Sequence, residues 1–363
     1  MRLRPLFVYG AIVVVTLAAA EFGSRVWMWT APNAESNAGD RLGNARYAFN
    51  FQGPGDLVAG QDGHWVTWWR RPYHVETNTQ GFRTGEAPSA GARRIVTVGD
   101  SQTFGPYVGS EDTWSAWLQA ELRRAPGTAP VQVFNGGVSG YTIADELAWL
   151  EDKGAAMKPD LIVLAPFEND IWDYRRVLAG NGTRISGTSA EGGPREWLAR
   201  VRVALWQNSA LYNVASAIKR SMEFAAAGVD LRRGEGDGAL ARPDPNAEFA
   251  RYAEAYARDF RAFVAAARAA GIPLAVVSIP AYDTVVEGVA PTVAPLVARL
   301  CAELDVPFLD LAPVFTSVPD AGEALYLLQW NSGRDRLDGN GHLSRYGHLV
   351  AGKAIARFLA GRF

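Results

Sequence analysis

Ser101 stands near the end of the stretch R-I-V-T-V-G-D-S-Q-T-F-G, Arg94 to Gly105. Ile95, Val96 and Val98 form a short β-branched apolar run, the pattern of a buried strand, and it stops at Gly99. Gly105 and Pro106 then punctuate a loop ahead of a helical pattern. A serine at the end of a buried strand and before a helix sits where open α/β sheets place their chemistry. Acyl transfer through a serine needs a base, a group that orients the base, and donors for the developing oxyanion. The chain holds four histidines that could act as the base: His64, His74, His342 and His348. Three further stretches carry chemistry-bearing residues. They are the glycine-rich loop Asn135 to Thr142, the run Phe167-Glu168-Asn169-Asp170, and Asp338-Gly339-Asn340-Gly341-His342-Leu343-Ser344. The surroundings of Ser101 are not a G-x-S-x-G elbow, because Gly99 lies two before it but Thr103 two after.

These residues need elements to gather them. Apolar patterning predicts strands over 95–98, 131–134, 161–167, 274–279 and 306–311. Between them lie helical stretches near 112–124, from Thr142 as a cap, over 249–264 and near 291–304, with a last helix from Ser344 onward. Strands alternating with helices imply a parallel sheet, right-handed crossovers and helices on both faces. The fold class expected is therefore α/β, a flavodoxin-like three-layer sandwich around a five-stranded parallel sheet in the order 2-1-3-4-5. In that order the first strand is central. Ser101 then follows strand one, Gly140 strand two and Asn169 strand three, while His342 lies beyond strand five, all at one carboxyl edge.

Four blocks in this order resemble the SGNH (GDSL-type) hydrolases. Gly99-Asp100-Ser101 with Gly105 is similar to the family's first block, which implies Ser101 as nucleophile. The loop 135–142 resembles the second, with Gly140 matching its glycine, and Phe167-Glu168-Asn169-Asp170 the third, usually G-x-N-D, with Phe167 in place of glycine. The resemblance assigns the oxyanion hole to Ser101, Gly140 and Asn169. Asp338 to Ser344 resembles the last block, D-x-x-H, with one residue more between the two. That implies His342 as base and Asp338 as the acid that orients it, with Asp335 in reserve. His348 is expected to pack on the final helix, and His64 and His74 lie outside the sheet. Asn78-Thr79-Gln80-Gly81-Phe82-Arg83 also resembles a segment that precedes the nucleophile block in membrane-tethered members of this family. The resemblance spans roughly 78–363 and leaves 172–246 unmatched.

The 363 residues divide into an amino-terminal helix over 1–30, an aromatic-rich arm over 31–90 and a hydrolase domain over 91–363 with an insert at about 172–246. A net charge of −2 leaves no footprint for nucleic acid. One cysteine, Cys301, excludes an internal disulfide, and its helical pattern places it in a core. No cysteine-histidine spacing suits a metal, and no cofactor is expected. Arg2 and Arg4 precede an uncharged run from Pro5 to Ala20. Two readings stand: a cleaved signal ending at Ala18-Ala19-Ala20, or an anchor continuing to interfacial Trp27 and Trp29. Either keeps the arginines inside and exports the body. The arm reads as a packing element over a sheet edge or as a groove wall whose tryptophans stack on sugars. The expected activity is cleavage or transfer of an O-acyl group on a small ester or an envelope glycan or lipid ester. The contrasting reading is a binding protein on a decayed scaffold.

Overall fold

The computed structural model describes residues 4–30, 56–57, 59–60, 62–67, 70–124, 130–178, 247–331 and 336–360, with isolated positions between 205 and 215 and residue 362. The helix α1, Arg4–Thr30, carries the amino-terminal apolar run. Its Tyr9–Val26 window has a mean hydropathy of 1.3 and is long enough to cross a membrane; a signal sequence passes the same test. An antiparallel hairpin follows, β1 (Asp62–Thr67) and β2 (Arg70–Glu76).

Five parallel strands form the central sheet: β3 (Arg93–Gly99), β4 (Val131–Asn135), β5 (Leu161–Ala165), β6 (Leu274–Ser278) and β7 (Phe308–Asp310). Their spatial order is β4-β3-β5-β6-β7, the 2-1-3-4-5 order expected, with β3 in the middle. Strand side chains alternate between two cores. Val96, Val98, Phe134, Ile162, Leu164 and Val276 face one, and Ile95, Val133, Leu161, Val163 and Val277 face the other. The first core is closed by α4 (Ile143–Trp149), α5 (Asp170–Arg176), α6 (Ala247–Ala269) and α7 (Val293–Glu303). The second is closed by α3 (Trp114–Arg124) and α8 (Arg345–Leu359), and α2 (Ser101–Phe104) is a single turn directly after β3. This is the three-layer α/β sandwich.

Local chemistry accounts for several boundaries. Thr142 leads into α4, where the Asp145 carboxylate accepts from Thr142 N and Oγ1, a reciprocal cap at the helix start. Ser344 caps α8 by accepting from Gly347 N. Cys301 is buried in α7, and burial pushes its thiol up to about 12, which makes it a packing group.

The described residues of the arm pack into the sandwich. Leu57, Tyr73, Val75 and Phe82 belong to the first core, and Phe82 sets its ring edge-on against Phe134 and Trp149. Lys153 Nζ donates to Asp56 Oδ2 at 2.6 Å and ties the arm to the turn after α4. The side chains of Trp65, Trp68 and Trp69, and most of the 172–246 insert, lie outside the described residues.

Beyond the expected strands is a second antiparallel hairpin, β8 (Tyr326–Asn331) and β9 (Arg336–Leu343). It delivers His342 to the sheet edge. Tyr326 opposes Leu343 while Leu328 opposes Gly339, so two residues among Asn340–His342 bulge out of the ladder. Gly341 supplies the left-handed backbone there, with φ of 84°.

Candidate active site

Ser101 is the first residue of α2, at the carboxyl end of the central strand. Asp100 caps this turn, its Oδ1 accepting from Gln102 N at 2.8 Å. The first amides of a helix have no partner within it, and the N–H of Ser101 is the first such donor of this turn. Ser101 Oγ lies 3.1 Å from His342 Nε2 and 3.4 Å from Asp100 Oδ2. Both Ser101 and His342 are half-buried, reachable from solvent yet fixed by their surroundings.

The two elements that carry this pair are joined directly. Gln102, next to the serine, donates through Nε2 to Gly341 O, next to the histidine, at 2.5 Å. The turn of β3 and the bulge of β9 are thereby held in register. Sequence reading passed over Gln102, since a buried glutamine in a helical turn has no spacing signature of its own.

The loop after β4 packs against the same turn. A Cβ on Gly137 would stand 2.3 Å from Phe104 N, so only glycine permits this approach. Asn135 fastens it further, donating from Nδ2 to Thr103 O at 2.7 Å and accepting from Gly137 N at 2.9 Å. Gly140 follows with φ of 76°, a left-handed position that suits glycine.

Asn169 lies in the turn between β5 and α5, on the opposite flank of β3 from Gly140. Its Nδ2 donates to Asp173 Oδ2 at 3.1 Å, and its buried Oδ1 has no hydrogen-bond partner among the described residues. The preceding Glu168 is buried, and its carboxylate accepts from the N–H groups of Thr292, Val293 and Ala294 and from Thr292 Oγ1. One carboxylate therefore caps α7 and bolts down the turn that carries Asn169.

Behind Ser101 lies a cluster of fully buried acids: Asp100, Asp145, Glu146 and Asp170. Burial, and then the neighbouring Asp100 and Asp145, hold Glu146 well above the usual carboxylate range. Burial, then Glu146 and Asp100, do the same for Asp170. Neither oxygen of Glu146 has a hydrogen-bond partner among the described residues.

The other histidines separate from the site's chemistry. His348 is buried in α8, its Nδ1 accepting from Trp114 N at 3.2 Å. Burial, Arg83 and His342 push it down to about 3, so it is neutral and packs as expected. His74 pairs with Asp62 on the arm's hairpin at 2.7 Å, and His64 opposes it across the ladder. Asp338 sits on β9 opposite Gln329, four residues before His342; its side chain and all of Asp335 lie outside the described residues. Among the described residues no group of His, Cys, Asp and Glu could hold a metal ion.

Residues 97–350 match the GDSL-like Lipase/Acylhydrolase family, and the chain belongs to it. No curated protein matches the sequence. Similar solved structures include a putative lipolytic protein of the G-D-S-L family from Desulfitobacterium hafniense DCB-2. It is 17% identical, with a TM-score of 0.40 over 73% of this chain and 99% of that one. The lipase/acylhydrolase from Enterococcus faecalis is 18% identical, with a TM-score of 0.41 over 74% and 96%. Axe2, an acetylxylan esterase from Geobacillus stearothermophilus, is 14% identical, with a TM-score of 0.40 over 75% and 96%.

Proposed function

We propose that this chain is a serine esterase that cleaves or transfers an O-acyl group through an acyl-enzyme. The observation that carries the reading is the 3.1 Å contact between Ser101 Oγ and His342 Nε2 at the carboxyl end of the central strand. In this scheme Ser101 Oγ attacks the ester carbonyl carbon while its proton passes to His342 Nε2. The carbonyl oxygen becomes an oxyanion, stabilised by the N–H of Ser101, the N–H of Gly140 and Nδ2 of Asn169. Collapse breaks the ester C–O bond, and His342 returns the proton to the departing alkoxide. Water, or an acceptor hydroxyl, then attacks the acyl-serine, giving its proton to His342; collapse breaks the acyl–Oγ bond, His342 returns the proton to Ser101 Oγ, and the acid or the new ester leaves.

His342 can accept a proton at Nε2 only if Nδ1 carries one. Asp338 is the acid proposed to hold that tautomer, with Asp335 as the alternative. The bulge in β9 supports the choice: a straight strand would separate residues four apart by ~13 Å, and the looped-out residues shorten that span. The substrate proposed is an ester on a cell-envelope glycan or lipid, reached by an exported domain tethered through α1. The support is the span-length apolar window Tyr9–Val26 with Arg2 and Arg4 before it. The binding-protein reading gains nothing from the geometry, since a site without selection for catalysis has no reason to keep serine and imidazole in contact.

The test is hydrolysis of p-nitrophenyl acetate by the full chain in detergent. Ser101→Ala is expected to lower kcat by ~10⁴-fold or more, as loss of a nucleophile does in a serine triad. Asp338→Asn is expected to fall ~10⁴-fold by losing the correct tautomer. Full activity of Ser101→Ala would refute the mechanism, and full activity of Asp338→Asn would move the acid to Asp335.

A further inference from the structure

Tyr107 has a left-handed backbone, with φ of 72°, in the loop that follows the nucleophile turn. Among the described residues, the other non-glycine residues with a left-handed backbone are Lys158, Asp305 and Asp320, polar groups at turns and helix ends, where such geometry is ordinary. For a bulky aromatic residue it is a strained position, and strain of this kind persists only where its surroundings impose it. The surroundings here are explicit. Arg83, from the arm, is 1% exposed, and its guanidinium donates to Phe104 O, to Gly105 O at 2.5 Å and to Val108 O at 2.6 Å. It gathers carbonyls on both sides of Tyr107. Its guanidinium also lies 4.4 Å from the centre of the Phe104 ring and 5.8 Å from that of Tyr73.

The ring so placed meets the base. Tyr107 and His342 lie edge to face, centroids 5.5 Å apart and planes at 72°. Tyr107 also meets Tyr73 of the arm, centroids 6.0 Å apart at 60°. The geometry points to Tyr107 as a positioning residue, whose ring fixes the plane of the His342 imidazole, with Arg83 clamping the strained loop that holds it there. The assignment rests on the esterase reading, because it concerns the orientation of that reaction's base. It also gives the arm a function at the site through Arg83 and Tyr73, apart from any contact with substrate.

The experiment compares Tyr107→Phe, Tyr107→Gly and Tyr107→Leu in the full chain. It measures the second-order rate of labelling by a fluorophosphonate, kcat and KM on p-nitrophenyl acetate, and Tm as the check on folding. Glycine removes the ring and suits the left-handed backbone; leucine keeps apolar bulk without the ring. Both are expected to label at least ~10-fold more slowly, with kcat lowered and KM little changed, since ~1 Å of misplacement can cost ~10²-fold. Phenylalanine is expected to restore most of the rate. Folded glycine or leucine variants that label at the wild-type rate would overturn the assignment while leaving the esterase reading intact. If glycine fails to fold, leucine decides. A folded wild type that does not label at Ser101 would remove both.

Discussion

The carboxyl of Glu146 is fully buried beside Asp100, Asp145 and Asp170, so its charge is set by where the chain places it. Its folded-state value is raised, so the native state binds a proton more tightly than the unfolded chain does. Stability from this group is therefore fully present below the ordinary carboxyl pKa and lost as pH rises through the window up to the raised value. Glu146→Gln, which keeps the shape without the titration, is expected to lose less Tm than wild type as pH rises above the ordinary carboxyl range. Parallel Tm–pH curves would show that the carboxyl carries no such load. At this scale the sequence offered Ser101, Gly140, Asn169 and His342 as candidates, because the first three each follow a strand in order and His342 lies beyond the fifth. It did not reveal the roles of Gln102, Glu168 or Arg83. Each of these acts through a contact with residues far along the chain, Gly341, Thr292 and Val108, and no local pattern records such a pairing.

Among the elements, β3 to β6 were legible because buried parallel strands read as near-continuous apolar runs. Leu161 to Ala165 and Leu274 to Ser278 are of this kind. The hairpin β8–β9 was not, since Arg336–Leu343 holds two glycines, an aspartate and an asparagine and lacks alternation. The one-turn helix at Ser101 is too short to show a period. The cap that Glu168 supplies to α7 is likewise a meeting of two elements, and it makes a prediction. Glu168→Ala is expected to destabilise the fold by ~1–3 kcal/mol, the worth of a lost cap and of charge-assisted hydrogen bonds. Denaturant unfolding measures it. A change within experimental error would show that Thr292 caps α7 by itself.

Across the whole molecule, one carboxyl edge collects the residues from the loops after β3, β4 and β5 and from the hairpin beyond β7. Described residues of the arm join the same core, and its Arg83 reaches the loop behind the nucleophile. Composition placed α1 as a membrane-length apolar helix, but anchor and signal share the same physics up to the point of cleavage. The central claim is an activated Ser101–His342 pair. Its most direct test is labelling of the folded full chain by a fluorescent fluorophosphonate, with Ser101→Ala and His342→Ala alongside. The account predicts strong labelling of wild type and none of either variant. A folded wild type that does not label, or a Ser101→Ala chain that still does, would contradict it.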